Sequence, residues 1–293
     1  MNEAVIRQPN VDELPNLKHI WNSVFGPIGL ESFFKHIFNK ELCIVAKVNN
    51  TTAAMGYLIP NGDIVCGSAT YKCAMIYSVA TLPEYRGKGL GTEVVNELIS
   101  LSQKINYPAV VLCPSDDELF TYYSARTDLR DWFYIDEYDI NEVPACKMSF
   151  PLKKVDATCY LATRERLLDN SGIIYIKQDL PALQFQEMLC HECGGGLYQV
   201  DESCAVIECQ PDGAVWIKEL LTPDLNNSDI TSNSYIKNTL AAIADSFPSN
   251  KYVLRVPSRS NKQRRFGMLT VSEVLSDISS KVDFAPWYGL AFD

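Results

Sequence analysis

Residues 76–95 read IYSVATLPEYRGKGLGTEVV. This stretch has three parts: an apolar run typical of a β-strand up to Leu82, a glycine-rich loop around Arg86 and Lys88, and a helix predicted to begin at Thr92. The first N–H groups of a helix have no partner within the helix, and the helix dipole favours negative charge there. A strand, a glycine loop and a helix start in this order therefore predict a phosphate-binding site.

The glycine spacing excludes two common phosphate-binding loops. A Walker loop has Ser or Thr after Gly-Lys, whereas Gly89 follows Lys88 here. A dinucleotide-binding fingerprint that starts at Gly87 would need glycine where the chain has Thr92. What remains is the spacing R-x-x-G-x-G directly after V-A-T-L-P, with Arg86, Gly89 and Gly91 at its fixed positions. This arrangement resembles the acetyl-coenzyme A loop of the GNAT superfamily of N-acetyltransferases.

The resemblance implies that acetyl-CoA is the co-substrate and indicates where it would bind. The pantetheine would pair with the main chain of the strand, and the diphosphate would lie on the amides of the loop. Arginine and lysine side chains in the loop would add positive charge. The residues implied in cofactor binding are Val79, Thr81, Arg86, Gly87, Lys88, Gly89, Leu90, Gly91 and Thr92.

The order of predicted elements over residues 1–150 also resembles the GNAT fold. Periodicity predicts a strand, two helices, three strands, a helix, a strand, a helix and two strands. The expected class is α/β (α+β), a mixed, splayed sheet flanked by helices, with the thioester in the gap between the fourth and fifth strands. Two details are a hairpin turn at Asn61-Gly62 and a final strand at Ala145–Phe150.

The second half of the chain predicts a smaller α/β domain. The polar segment Pro151–Thr158 is the expected linker, so the predicted domains are 1–150 and 159–293. Three strands, a helix and a strand repeat the core of the first half, which suggests a degenerate tandem GNAT-like unit. After Leu221 the sequence TPDLNNSDI has neither arginine nor glycine, so this unit is not expected to bind coenzyme A. The aromatic tail Phe284–Phe292 should be buried, with the N-terminal helices as its partner.

Acetyl transfer from a thioester needs a proton for the departing thiolate. In many GNAT enzymes a tyrosine supplies it from the helix after the fifth strand, in a pattern like F-Y-x-K-x-G-F. Here that helix reads LFTYYSARTDL, which aligns Tyr123 with the acid and Tyr122 with the phenylalanine. Thr127 and Asp128 replace the family's Gly-Phe, so Tyr122 stays open as the acid in a register shifted by one residue. The strand at 71–82 contains no carboxylate, and the general base is left unassigned.

The cysteines do not predict a metal site. A zinc site near Cys190 and Cys193 would need a second close pair of ligands. Cys204 and Cys209 are five residues apart on a predicted strand, which puts their side chains on opposite faces. Buried reduced thiols are therefore the interpretation, and the metal prediction is none.

Charge and composition limit the partners. The formal charge of −10 is spread over both halves, so the chain offers no basic surface for nucleic acid and favours a cationic or neutral amine. No apolar run is long enough for a membrane span, and the N-terminus lacks a secretion signal. The cytoplasm is the expected location, since ten cysteines without such a signal suit a reducing compartment. Whether the chain forms a homo-oligomer is left open.

These features predict an acetyl-CoA-dependent N-acetyltransferase that acetylates a primary amine of a small molecule by direct attack on the thioester. The alternative is a non-catalytic acyl-CoA-binding or regulatory protein in which the two helix tyrosines only pack. The sequence does not identify the acceptor, because variable loops build that pocket.

Overall fold

The computed structural model describes residues 4–144, 150–258, 264–270 and 285–292. These residues divide into two compact units. Unit 1 comprises 4–64, 70–131 and 267–270; unit 2 comprises 65–69, 132–144, 150–258, 264–266 and 285–292. This division differs from the predicted domains, 1–150 and 159–293, which stay a prediction. The predicted strand at Ala145–Phe150 lies, apart from its last residue, outside the described residues.

Both units contain α-helices and β-strands. The helices are α1 (Leu14–Phe25), α2 (Leu30–His36), α3 (Leu90–Lys104), α4 (Asp117–Ser124), α5 (Ala157–Asp169), α6 (Leu180–Glu192) and α7 (Ser234–Ser246). The strands are β1 (Val5–Arg7), β2 (Cys43–Val48), β3 (Thr51–Cys66), β4 (Ala69–Thr81), β5 (Ala109–Leu112), β6 (Leu129–Ile140), β7 (Lys153–Val155), β8 (Tyr175–Lys177), β9 (Gly196–Val200), β10 (Ser203–Cys209), β11 (Val215–Leu221), β12 (Tyr252–Pro257) and β13 (Arg264–Thr270). Among the described residues, no helix is both long and apolar enough to span a membrane.

Unit 1 is a mixed sheet with α3 packed against it. Its strands follow the order β1, β2, β3, β4, β5 and then β13, with β4 and β5 parallel and the other recorded pairs antiparallel. The apolar stripe of α3, which includes Val94, Val95 and Leu98, is buried against Ile44 and Ile76 of the sheet. A stripe with this spacing faces one side of a helix, so burying it fixes α3 on the sheet. The mixed, splayed α/β sheet expected for the first half is confirmed.

The hairpin prediction at Asn61-Gly62 is wrong. Strand β3 continues through both residues to Cys66, and the turn to β4 lies at Gly67-Ser68. Asn61 is fully buried, which a solvent-exposed hairpin turn would not allow. Gly62 keeps the left-handed φ of 89° that the pair favours, but within a strand. Strand pairing overrides the local turn preference here.

Unit 2 repeats the order of unit 1's core. Strands β9, β10 and β11 are antiparallel, α7 follows, and β12 lies parallel to β11 and antiparallel to β6. The buried stripe of α7, with Ile236, Leu240 and Ile243, packs against this sheet. The expected linker at 151–158 contains β7, which pairs with β9. That segment is therefore part of the unit 2 sheet.

Burial of the aromatic tail is confirmed for residues 285–292. The Trp287 indole donates a hydrogen bond of 2.8 Å to Glu219, and the Phe292 ring packs on Phe185. The Tyr288 carbonyl accepts a bond of 3.2 Å from Arg164, which itself forms a fully buried ion pair with Glu219. These partners belong to unit 2 and not to the N-terminal helices that the sequence suggested.

Candidate active site

Strands β4 and β5 pair over four residues in the middle of β4. Their recorded register begins at Cys73 opposite Ala109 and ends at Ile76 opposite Leu112, where β5 stops. Strand β4 continues for five more residues, to Thr81. Beyond Ile76 that edge of β4 has no paired strand among the described residues, and this unpaired part is called the gap.

Ser78 interrupts the regular pleat of β4 immediately after the pairing ends. It has a φ of 49°, in the left-handed region that a serine rarely adopts. Such a residue in a strand redirects the following peptide groups, and outliers of this kind cost about 1–3 kcal/mol and concentrate at functional sites. The bend comes directly before Val79 and Thr81, the two strand residues predicted to bind the cofactor.

The loop after β4 depends on two glycines for its conformation. Gly87 and Gly89 have φ values of 76° and 81°, and apart from its chain neighbours no described residue has an atom within 4 Å of where a side chain would begin at either glycine. The requirement for glycine is therefore conformational, since L-residues avoid this region. It also leaves the main chain of the loop accessible to a ligand.

Helix α3 begins at Leu90, two residues before the predicted start. Gly89 is its N-cap and provides no side-chain hydrogen bond, and the first helical bond runs from the Glu93 amide to the Gly89 carbonyl. The amides of Leu90, Gly91 and Thr92 consequently form the first turn, where N–H groups have no partner within the helix. The Leu90 side chain is buried, so its contribution to a bound anion would come from its main chain. This uncapped, glycine-led helix start fits a diphosphate group.

Two exposed cations accompany the loop. The Arg86 guanidinium donates from Nε to the Thr81 carbonyl at 3.2 Å, which ties the loop to the end of β4. The Lys88 ammonium lies 4.9 Å from the centre of the Tyr85 ring. Both charges are thus beside the first turn of α3, where an anionic ligand would gain from them.

Helix α3 and the end of β4 approach closely at Gly91. A side chain at this glycine would begin 3.6 Å from the Thr81 hydroxyl and 4.0 Å from Val79. Val79 packs partly buried against the core of unit 1, so its side chain has a packing role while its main chain borders the gap. The predicted cofactor residues on β4 and on the loop are therefore neighbours.

The two candidate tyrosines have different environments on α4. Tyr123 is 7% exposed in the core of unit 1, and burial raises its pKa to about 12, with smaller contributions from Tyr122 and Asp116. Tyr122 is half-buried, and its hydroxyl lies 2.6 Å from the Thr92 hydroxyl in the first turn of α3. The contact between Thr92 and Tyr122 spans 30 residues of sequence, and no local pattern indicated it.

The departure from the family's Gly-Phe pair has a local explanation. The Thr127 hydroxyl donates a 2.8 Å bond to the Tyr123 carbonyl and accepts one of 3.2 Å from the Leu129 amide. The Thr127 side chain therefore supplies a hydrogen-bond partner for a carbonyl at the end of α4. The chain then continues into β6 without a glycine. The family's glycine is replaced without loss of the helix that carries Tyr123.

An aromatic cluster formed by residues of α1, α2 and β4 lies beside the gap in β4. Tyr77 directly follows the last residue paired with β5, and its ring centre lies 5.8 Å from Trp21 and 5.6 Å from Phe33. Phe34 packs edge-on against Trp21 at 5.9 Å. Tyr77 and Phe34 are half-buried, so part of the cluster reaches the surface. Glu84, the acidic residue next to the loop, is exposed.

In unit 2 the connection from β11 to α7 corresponds to the connection from β4 to α3. There the side chain of Asn233 bonds to the start of the helix. Asn233 caps α7 by accepting bonds of 2.9 Å from the Tyr235 amide and 3.2 Å from the Ile236 amide. Its amide nitrogen donates to the carbonyls of Asp224 and Asn227 in the preceding loop. The cavity between this loop and the end of β12 is about 10 Å³, close to the volume that one water requires.

No group of three or more His, Cys, Asp or Glu side chains with metal-binding geometry occurs in the described part of the chain. The Cys190 thiol lies 3.7 Å from the Glu208 carboxylate, and Gln186 donates 3.1 Å to the same oxygen. Burial raises the pKa of this thiol well above its ordinary value, with Glu208 adding to the effect. Such a thiol is a packing group rather than a nucleophile.

Residues 14–120 match the sequence model of the Acetyltransferase (GNAT) family. No curated protein matches the chain. Among solved structures, the chain is similar to a GCN5-related N-acetyltransferase from Kribbella flavida, with a TM-score of 0.65, 13% identity, and coverage of 92% of this chain and 71% of the other. The chain is also similar to a GCN5-related N-acetyltransferase from Anabaena variabilis, with a TM-score of 0.65 and 16% identity. That match covers 91% of this chain and 72% of the other.

A third similar structure is a conserved protein of unknown function from Enterococcus faecalis, described as a probable N-acyltransferase. It has a TM-score of 0.66 and 14% identity, and the match covers 92% of this chain and 72% of that one. At these identities the likeness shows a shared fold, and it extends over most of the chain. The glycine loop and the uncapped helix start lie within residues 14–120, the part of the chain that matches the Acetyltransferase (GNAT) family model.

Proposed function

We propose that the protein is an acetyl-CoA-dependent N-acetyltransferase that transfers the acetyl group to a primary amine of a small molecule. The observation that carries the proposal is the uncapped start of α3 behind the left-handed glycines Gly87 and Gly89, next to the unpaired edge of β4. The family match of residues 14–120 supports acetyl-CoA as the co-substrate.

The diphosphate of acetyl-CoA lies, in this proposal, on the amides of residues 87–92. Arg86 and Lys88 supply the opposite charge, since both are exposed beside the loop. The pantetheine follows the main chain at Val79 and Thr81, where β4 no longer pairs with β5. The thioester then reaches the gap, and the acceptor amine attacks it directly.

Tyr123 is the proposed general acid. A C–N bond forms as the C–S bond breaks, and the departing thiolate takes the phenolic proton. A pKa raised to about 12 by burial keeps this proton on the tyrosine at neutral pH, so the acid is in the correct form. The amine must lose its own proton, and the base for that step is unassigned, because β4 has no carboxylate.

The aromatic cluster at Trp21, Phe33, Phe34 and Tyr77 supports an amine acceptor. Aromatic faces attract an ammonium group, and the formal charge of −10 adds a general attraction for cations. All nine cysteines of the described residues are thiols and none is in a disulfide, which agrees with a proposed location in the cytoplasm.

The second candidate is a non-catalytic acyl-CoA-binding protein. The position of Tyr123 in the core of unit 1 favours it, because a tyrosine can be retained there for packing alone. The two candidates share the cofactor site and differ only in chemistry.

The test is acetyl-CoA turnover across a panel of primary amines, measured as released thiol and as acetylated product by mass spectrometry. The proposed enzyme acetylates at least one amine, and the Tyr123→Phe variant loses that activity while it still binds acetyl-CoA. Tight acetyl-CoA binding with no turnover on any amine would favour the non-catalytic candidate. No acetyl-CoA binding would refute both.

A further inference from the structure

Tyr122 makes a hydrogen bond that joins two functional elements of unit 1. Its hydroxyl on α4 lies 2.6 Å from the Thr92 hydroxyl, a short distance for two neutral hydroxyl groups. Thr92 is the third residue of α3, in the first turn at which we place the diphosphate. The next residue after Tyr122 is Tyr123, the proposed acid.

Other contacts hold Tyr122 in this orientation. The Arg126 guanidinium lies over its ring, 4.4 Å from the centre, and donates to its carbonyl at 3.3 Å. The ring also meets that of Tyr123 edge-on, with centres 5.4 Å apart and an interplanar angle of 82°. Because the ring is packed by both neighbours, its hydroxyl is fixed where it meets Thr92.

We propose that Tyr122 is a positioning residue that couples the acid to the phosphate site. Its hydrogen bond to Thr92 fixes α4 against the first turn of α3, so Tyr123 keeps its place relative to a diphosphate bound there. The inference rests on the proposed function. It identifies Tyr123, not Tyr122, as the residue available for proton transfer.

The two tyrosines differ in the way that this assignment requires. The Tyr122 hydroxyl is engaged with Thr92, whereas the Tyr123 ring is part of the core of unit 1. If Tyr122 only positions, removal of the Thr92 hydroxyl should have the same effect as removal of the Tyr122 hydroxyl. If Tyr122 is the acid, the two removals should have very different effects.

The experiment is a double-mutant cycle with Thr92→Val, Tyr122→Phe and the combination. Each protein is assayed for acetyl-CoA affinity by calorimetry, for turnover with the amine found in the panel, and for melting temperature. Thr92→Ser keeps a hydroxyl and serves as the conservative rescue. Thr121→Val is the matched control, since Thr121 is an exposed threonine of α4 that bonds only within its helix.

We expect each single variant to weaken acetyl-CoA binding about fivefold, the effect of one neutral hydrogen bond. Turnover should fall about tenfold, because small misplacements of a catalytic group are costly. The double variant should resemble either single one, Thr92→Ser should remain close to the wild type, and Thr121→Val should have no effect.

Two outcomes would overturn the inference. A loss of a hundredfold or more in turnover for Tyr122→Phe, with Thr92→Val silent, would make Tyr122 the acid. Strictly additive losses would show that the two residues do not act through one contact. If the wild-type protein binds no acetyl-CoA, the proposed function and the positioning role both fail, while the coupling in melting temperature still measures the hydrogen bond itself.

Discussion

Both units contain a strand that leads through a loop into a helix, but the two helices differ at their N-termini. In unit 1, β4 leads through a glycine loop into α3, whose N-cap Gly89 offers no side chain to the first turn. In unit 2, β11 leads through residues 222–233 into α7, and Asn233 occupies two of the first-turn amides. The N-terminus of α3 is therefore left able to bind an anion, while a side chain already accepts hydrogen bonds from the first-turn amides of α7.

The difference shows that the same order of strand, loop and helix can have first-turn amides that are left open or amides that a side chain occupies. A helix start needs partners for its N–H groups, and either a ligand or a side chain can supply them. Asn233 is 2% exposed and also donates to two carbonyls of its loop, so the unit 2 loop is held shut by the residue that caps the helix. A strand and a helix in the right order thus do not make a binding site without a free helix terminus.

The largest expected effect concerns the chemistry proposed for unit 1. We expect Tyr123→Phe to lower turnover by about 100- to 10,000-fold, the usual value of general acid catalysis. Acetyl-CoA affinity should change little, because the ring and its packing in the core are kept. Tyr138→Phe, a half-buried tyrosine of β6 in unit 2, is the control and should leave turnover unchanged. Full activity in Tyr123→Phe would contradict the acid assignment.

The next effect concerns the loop itself. Gly89→Asp puts a negative charge and a strained backbone where the diphosphate is proposed, so acetyl-CoA affinity should fall by several kcal/mol, on the order of a hundredfold or more. Gly213→Asp is the matched control, because Gly213 has a similar φ of 85° and open space beside it in a turn of unit 2. Equal losses in both variants would indicate general destabilisation rather than a lost phosphate site.

The third expected effect concerns the pH dependence of stability in unit 1. It comes from Glu13 and not from the glycine loop. Glu13 accepts hydrogen bonds from Arg7 at 2.7 Å and from Thr52 at 3.1 Å, and Lys47 lies 3.3 Å away. These partners, Arg7 first among them, lower the pKa of Glu13 to about 2. A lowered carboxyl pKa stabilises the folded state above the ordinary pKa, and this stability is lost as the pH falls from about 4.5 towards 2.

Glu13→Gln should therefore lower the free energy of unfolding by on the order of 3 kcal/mol at neutral pH. It should also reduce the loss of stability as the pH falls. Thermal melts over pH 2–7 measure both, and the exposed Glu31→Gln is the control. Stabilisation by acetyl-CoA should persist in Glu13→Gln, because the residue is remote from the loop in sequence and has its own partners. An acid transition identical to that of the wild type would show that Glu13 does not contribute to the loss of stability in acid.

The smallest effect concerns the cap in unit 2. Asn233→Ala removes the side chain that closes the α7 start, at a cost of about 1–2 kcal/mol in stability. Acetyl-CoA affinity should not change, since the diphosphate is assigned to α3 alone. A melting curve and a titration of the same sample measure the two quantities. A change in affinity with no change in stability would reverse the assignment.

The sequence predicted the glycine loop well because its signal is local. The spacing of Arg86, Gly89 and Gly91 directly reflects the backbone that the loop adopts, and the left-handed φ of Gly89 agrees with it. Helix α3 nevertheless begins two residues early, at Leu90, because an uncapped start leaves no capping residue to mark it.

Features that depend on distant contacts were not predictable in this way. Asn61-Gly62 favours a hairpin turn locally, but pairing along β3 keeps both residues in the strand. The contact between Thr92 and Tyr122 joins residues 30 positions apart, and no periodicity reports it. Strand β13 was not predicted, because its pairing partner β5 lies far away in sequence.

We propose that the loop before α3 binds acetyl-CoA and that the loop before α7 does not. Calorimetric titration of the full chain with acetyl-CoA tests it most directly, because the stoichiometry counts the binding sites. We expect one site per chain, present in Asn233→Ala and lost in Gly89→Asp. Two sites per chain, or one site that survives Gly89→Asp in a folded protein, would contradict the account.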